Sequence, residues 1–323
     1  MVRLVTGAAG FIGSHLCEDL LATTDDLVIG IDRFSDYYPE KDKRANLSML
    51  NGDDRFMLLE DDLADPGTME HLSSMLPRGE EITVFHLAAQ AGVRKSWGCD
   101  FGSYLRDNVA ATQNLLEWAT YRGNVRSFIF ASSSSVYGIP ASLPMTEEIT
   151  VPRPHSPYGV TKLAAENLVR LYTSNHGLPS VSLRFFTVYG PRQRPDMAFN
   201  RFLRAILAGE PISIFGDGGQ TRDFTYVGDT VRGLRLAEGC ADGRVMNLGG
   251  GSSVTLLDAV RTMEDATGKE AVMRFLPVQA GDVADTLAST ELLESTTGWK
   301  PSISLLEGLT REAAWLREGA SLN

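Results

Sequence analysis

A tyrosine and a lysine four residues apart, Tyr158 and Lys162, lie in the stretch Ser156-Pro157-Tyr158-Gly159-Val160-Thr161-Lys162. On a helix that spacing puts both side chains on one face, a turn apart. Ser156 is a natural cap and Pro157 suits the first turn, so the stretch predicts a helix that opens here. A free phenol ionises near about pH 10 and is a poor base at neutral pH. A fixed ammonium beside it stabilises the phenolate. Such a pair can take a proton from a hydroxyl or give one back, with Lys162 tuning Tyr158. Alone, Y-x-x-x-K is a weak signal; it gains force only if the chain also supplies a hydride acceptor.

The start of the chain meets that condition. Val2–Thr6 reads as a short apolar strand, and Gly7-Ala8-Ala9-Gly10-Phe11-Ile12-Gly13 turns from it into a helix. Glycines at 7, 10 and 13 allow a tight turn and a close approach of a pyrophosphate to backbone N–H groups at a helix start. A second strand, Leu27–Ile31, ends at Asp32. A carboxylate there accepts the ribose hydroxyls of an adenosine and repels a 2′-phosphate, which favours NAD over NADP. Arg33 tempers this, because an arginine at that place can hold a phosphate. Further strands read at Arg55–Glu60, Thr83–Leu87, Ser127–Ala131 and Ser180–Phe186. After the third, a carboxylate of Asp61-Asp62-Leu63 either meets the adenine amino group or is a solvated acidic turn. After the fourth, which ends at Leu87, the small residues of Ala88-Ala89-Gln90-Ala91-Gly92 let a cofactor lie against the backbone, with Leu87, Ala88, Ala89 and Gln90 as candidate cofactor contacts. A helix opening at Asn108 carries an apolar face that is either core or half of a dimer seam. The fifth strand discharges into Ser132-Ser133-Ser134-Ser135, where a parallel sheet binds its ligands.

Strands alternating with helices give an α/β fold, a doubly wound Rossmann parallel sheet. Past Tyr189-Gly190-Pro191 the rhythm breaks into a smaller, less regular C-terminal region. The expected division is a cofactor domain over 1–185, with about 222–248 returning to it, and a substrate domain over 186–323. The 323 residues carry 30 basic and 41 acidic side chains, a net charge of −11. Neither that sign nor any basic run suits nucleic acid or an anionic membrane. No apolar run approaches the roughly 20 residues needed to span a bilayer. Cys17, Cys99 and Cys240 are scattered and odd in number, as in a reduced, cytoplasmic protein. Val2-Arg3-Leu4-Val5 leads straight into the glycine turn, so no signal peptide is expected. His15, His71, His86, His155 and His176 have no metal-ligand spacing, so no metal is expected.

Thr6–Gly13, His86–Gln90, Ser132–Gly138, Ser156–Lys162, Leu183–Gly190 and Arg222–Asp229 together resemble, in order and spacing, the extended short-chain dehydrogenase/reductase family, and within it the nucleotide-sugar epimerases. The resemblance covers essentially the whole chain. It implies that Ser133 bonds the sugar hydroxyl beside Tyr158 and that Lys162 also grips the nicotinamide ribose. It further implies that Arg222 and Asp282 hold the UDP moiety, with Phe215 beside the uracil, and that the chain forms a homodimer. Ser134-Ser135 stands where 4,6-dehydratases carry an Asp-Glu pair and decarboxylases a Glu at the second position. The Ser132–Gly138 run, Arg194-Pro195-Asp196-Met197-Ala198, Asp36-Tyr37-Tyr38 and Gln279-Ala280-Gly281-Asp282 resemble the UDP-glucuronate 4-epimerases, apart from Ala280 in place of proline. Gly159, where alanine is common, is expected to cost the helix up to about 1 kcal/mol and little else. On this resemblance Arg194, Thr187 and Ser135 pin the sugar carboxylate, while Arg192 and Arg94 are weaker candidates facing phosphate. The competing readings are a UDP-glucose/UDP-galactose 4-epimerase, a UDP-glucuronate decarboxylase, and a non-catalytic NAD-binding regulatory protein.

Overall fold

Strands of four to nine residues, most of their side chains buried, build the central sheet. In the computed structural model every residue is described except 78, 278–282, 284, 322 and 323, and of 320 and 321 the backbone alone. The strands are β1 (Val2–Thr6), β2 (Leu27–Ile31), β3 (Phe56–Leu59), β4 (Ile82–His86), β5 (Val125–Ser133), β6 (Ser180–Phe185), β7 (Thr187–Tyr189), β8 (Ile212–Phe215), β9 (Thr221–Tyr226), β10 (Val245–Leu248), β11 (Ser253–Thr255) and β12 (Met273–Leu276). Seven form one sheet in the order β10-β6-β5-β4-β1-β2-β3. Every pairing in it is parallel. β1 and β4 are neighbours whose following connections run to opposite sides, which opens a crevice at their carboxyl ends.

Two small sheets complete the fold, β11-β9-β7 and β12-β8. The large sheet buries both faces: Leu4, Val84 and Phe128 pack on one side, Val5, Phe85 and Ile129 on the other. A separate core around Tyr189, Phe199, Leu203, Ile214 and Leu309 lies under the small sheets. That alternation along each strand is the period of two expected of a pleated strand covered twice.

Two helix boundaries matter for the site. The helix Pro157–His176 opens as its residues predict, with Ser156 at the N-cap accepting from Gly159 N at 3.1 Å and Pro157 in the first turn. It stops at Gly177, whose φ of 70° suits a residue without a Cβ. The helix expected to open at Asn108 begins earlier. A turn of helix, Phe101–Tyr104, leads into a π-helical stretch, Leu105–Ala110, before the regular Ala111–Arg122. Asn108 therefore lies inside a widened turn, which swings its side chain inward.

Candidate functional site

The glycine turn is tight for stated reasons. Gly7 has φ 71°, and its N–H and that of Ala8 donate to Ile31 O across the β1–β2 edge. A Cβ on Gly13 would stand 2.1 Å from Gly7 O, so only glycine lets the helix start lie against the turn. The helix Phe11–Thr23 begins at Gly10 with no side chain capping it. Its first-turn N–H groups lie in the wall of the crevice, a ready anion site. At the end of β2, Asp32 accepts from Ala9 N (3.1 Å) and Phe34 N (2.8 Å), which fixes its carboxylate. Arg33 is committed elsewhere: it bonds Asp62 at 3.1 Å and Asp107 at 2.5 Å. An arginine already neutralised by two carboxylates is poorly placed to take a 2′-phosphate, which strengthens the preference for NAD. Asp62 is engaged too, bonded by Arg33 and Arg106 and accepting from Ala64 N.

Beneath the crevice floor lies a buried polar chain. Thr6 Oγ1 accepts from Leu87 N and Ala88 N, so its hydroxyl proton points to His86 Nδ1 at 2.8 Å. Thr112 donates to Asn108 O, leaving its oxygen to accept from His86 Nε2 at 2.9 Å. His86 is thus the neutral Nε2–H tautomer by inference from its partners. Burial, with the Lys162 charge adding to it, pulls its pKa down to about 3. Asn108 closes the chain, accepting from Gln90 N and donating to Gln90 O and to Thr161 Oγ1. Asn108 thereby holds the loop after β4 in place.

A cavity of about 400 Å³ runs over this floor. Gly7, Gly10, Phe11, Ile12, Gly13, Asp32, Asp62, Leu63 and Leu87–Gln90 line one part of it; Ser133, Ser135, Tyr158, Lys162, Thr187 and Arg194 line the other. The cavity therefore joins the expected hydride-acceptor site to the tyrosine–lysine pair. Burial pushes the Tyr158 phenol up, opposed by a hydrogen bond from Ser133 and the charge of Arg194. Burial pulls Lys162 down to about 7, opposed by Glu166, and its ammonium sits 4.4 Å from the centre of the Phe130 ring. Ser133 and Arg194 both ease ionisation of the Tyr158 phenol.

Gly159 also has a larger part than expected. A Cβ there would stand 2.4 Å from Ser135 O, so glycine lets the helix approach the serine run. Ser132 is structural, bonded to Glu166, which Arg184 holds in a fork. Arg192, expected toward a phosphate, turns away at φ 65° and pairs with Glu18 at 2.6 Å. Phe215 lies outside the cavity, with the Arg94 guanidinium 5.3 Å from its ring centre. Arg222 lies opposite Val254 in the β9–β11 pair and donates to Thr221 O. Asp282 falls outside the described residues. Two residues from runs that resemble the epimerases, Asp36-Tyr37-Tyr38 and Arg194-Pro195-Asp196, also reach this corner, a place that the runs by themselves do not indicate. Tyr37 and Asp196, 159 positions apart, meet beside Arg194 through a 3.3 Å hydrogen bond.

A nucleotide-binding crevice over a parallel sheet, with a tyrosine and lysine facing it, defines a short-chain dehydrogenase-type enzyme. Residues 3–249 match the NAD dependent epimerase/dehydratase family, and the chain belongs to it. An uncharacterized UDP-glucose epimerase of Bacillus subtilis (strain 168) is 44% identical over 98% of both chains. A solved UDP-glucuronic acid 4-epimerase from Bacillus cereus, in complex with UDP-glucuronic acid and NAD, is 41% identical. It covers 98% of this chain and 99% of its own, with a TM-score of 0.91. A UDP-glucose 4-epimerase of Thermotoga maritima, solved with UDP-glucose, is 34% identical over 99% of this chain and 100% of its own, at a TM-score of 0.89. The chain is an NAD-dependent nucleotide-sugar epimerase, an isomerase, and its relatives divide between a uronic and a neutral sugar.

Proposed function

We propose that the protein interconverts UDP-glucuronate and UDP-galacturonate by inversion at C4. The observation that carries this is Arg194, whose cation lines the same cavity as Tyr158, Ser135 and Thr187 and is near enough to bias the phenol. In this reading NAD, bound over the glycine turn with its ribose at Asp32, accepts a hydride from C4 and returns it to the other face. Tyr158 takes the O4 proton as C4 is oxidised and gives it back as C4 is reduced. Ser133 bonds the same oxygen and Lys162 the nicotinamide ribose. The 4-keto sugar turns over between the two half-reactions, so no net redox change remains.

A uronic substrate carries a hazard. Its 4-keto form is a β-keto acid, which loses carbon dioxide when the C5–carboxylate bond aligns with the carbonyl π system. Donors from Arg194, Thr187 and Ser135 would hold the carboxylate out of that alignment. Residues 1–185 with 222–248 would carry the cofactor, and the remainder of 186–323 the nucleotide sugar. Leu105, Tyr121, Val160 and Leu171 are exposed on the two helices flanking the site, apolar surface that supports a homodimer.

The test compares kcat/KM for UDP-glucuronate and UDP-glucose in the wild type and in Arg194→Ala. The expected result is a wild-type preference for the uronate of at least about tenfold, lost in the variant, as removal of a charge-assisted contact implies. An Arg194→Ala enzyme that epimerises UDP-glucuronate normally and releases no carbon dioxide would overturn the carboxylate assignment.

A further inference from the structure

We propose that Asp196 and Tyr37 are positioning residues for Arg194, and that the guanidinium orientation they impose decides whether a bound 4-keto uronate returns as epimer or loses carbon dioxide. The proposal rests on the reading of the substrate as a uronate held by Arg194.

The geometry separates the backbone of this loop from the aim of its side chain. The backbone is anchored from within. Gln193 donates to Val188 O and accepts from Asn200 N, while Asn200 Nδ2 donates to Gln193 O. Gln193 and Asn200 are both buried. The Arg194 side chain is aimed by other groups. Its Nε and Nη2 form a fork with Asp196 Oδ1 and Oδ2, at 2.9 and 3.0 Å. Two parallel bonds fix the plane of a guanidinium, where one would leave it free to turn. Asp196 Oδ2 also accepts from Tyr37 at 3.3 Å, and the guanidinium carbon lies 5.5 Å from the Tyr37 ring centre.

Tyr37 is itself clamped. A Cβ on Gly92 would meet its hydroxyl at 2.5 Å, and Lys95 Nζ sits 4.6 Å from its ring centre. The loops after β2 and β7 thus meet at one guanidinium, and the loop after β4 holds Tyr37 from behind. Nη1 takes no part in the fork, and Arg194 lines the cavity together with Thr187 and Ser135.

The chemistry makes aim matter more than charge. In the 4-keto sugar the C5–C6 bond can break, its electron pair moving toward C4=O to give an enolate as carbon dioxide leaves. C5 then takes a proton from water. The product is a UDP-4-keto-pentose, and the hydride removed from C4 stays on the cofactor as NADH. A guanidinium held in one plane restrains the carboxylate rotation that this step needs. A guanidinium that turns freely still attracts the carboxylate and no longer restrains it.

The experiment follows UDP-galacturonate, carbon dioxide and the absorbance of reduced nicotinamide in the holoenzyme with UDP-glucuronate, for Asp196→Asn, Tyr37→Phe and Arg194→Ala. Asp196→Asn should raise the ratio of carbon dioxide to epimer by about tenfold or more, the scale on which misplacing one contact acts. Its KM should not rise, because Arg194 keeps its charge and loses a competitor for it. Tyr37→Phe should move the ratio the same way by less, with the thermal midpoint unchanged. An Asp196→Asn enzyme with reduced turnover and a wild-type product ratio would overturn the proposal. If Arg194→Ala releases carbon dioxide and Asp196→Asn does not, the positioning role alone fails. If Arg194→Ala epimerises UDP-glucuronate at the wild-type ratio, the uronate reading fails with it.

Discussion

The floor of the crevice and its sugar-side wall are held by different forces. The floor consists of strand ends from β1, β4 and β5, locked by buried hydrogen bonds through Thr6, His86, Thr112, Asn108 and Gln90. The wall sets Thr187 at the start of β7 near loop residues Tyr37, Arg194 and Asp196, which one ion pair and one hydrogen bond hold together near solvent; the Asp196 side chain is 37% exposed. Buried bonds between neutral groups tolerate little change, because an orphaned partner cannot turn to water. Exposed ion pairs contribute little to stability and can be rebuilt. The floor therefore suits the chemistry common to a family, and the wall suits the choice of sugar. Changes in the floor should damage every substrate alike, and changes in the wall should redistribute substrates and products.

The sharpest way to break this contrast is Tyr158→Phe. It should lower kcat by about 10²- to 10⁴-fold, the usual worth of a general base, for UDP-glucuronate and UDP-glucose equally. Retained NAD with unchanged stability would complete the pattern; a loss confined to one sugar would show that Tyr158 acts, like the wall, in the choice of sugar.

Gly159→Ala comes next. Its Cβ would fall 2.4 Å from Ser135 O, so the helix must shift away from the serine run. Overpacking of this kind costs about 1–3 kcal/mol, measurable by urea unfolding, and should depress turnover of both sugars. A fully active, fully stable variant would show that the helix has room to move.

These two positions also show what a sequence reveals. The strands, the caps at Ser156 and Gly177, and Asp32 at the end of β2 follow from local patterns of period, turn chemistry and spacing. Gly159 does not, because its reason is a carbonyl 24 positions earlier. The helix read as opening at Asn108 starts earlier, because Phe101–Tyr104 and a π-helical stretch precede it, and a π turn breaks the 3.6-residue period that locates side chains on a helix. Arg192 looked like a phosphate ligand beside Arg194, until a left-handed backbone turned it to Glu18. The contact between Tyr37 and Asp196 joins loops brought together only by the folded sheet, so no local pattern could announce it.

A smaller effect tests the anchoring of the wall from behind. Glu312, buried in the C-terminal core, accepts from Gly190 N with one oxygen, while Oε1 has no partner among the described residues. Burial pushes its pKa up to about 8, opposed by that backbone bond. A carboxyl with a raised folded pKa holds a proton that the unfolded chain releases near about pH 4.5. Its contribution to stability is therefore present below about pH 4.5 and is lost as pH rises through about 8. Between those values the wild type should lose up to about 1.4 kcal/mol per pH unit relative to Glu312→Gln in urea titrations. Parallel pH profiles for the two proteins would show that the carboxyl does not titrate in this range.

The most direct test of the central claim is NMR of the purified protein incubated with UDP-glucuronate and no added NAD. The account predicts that UDP-galacturonate forms to a steady ratio, because the hydride is borrowed and returned on a cofactor that stays bound. UDP-glucuronate left unchanged while UDP-glucose is converted would contradict it.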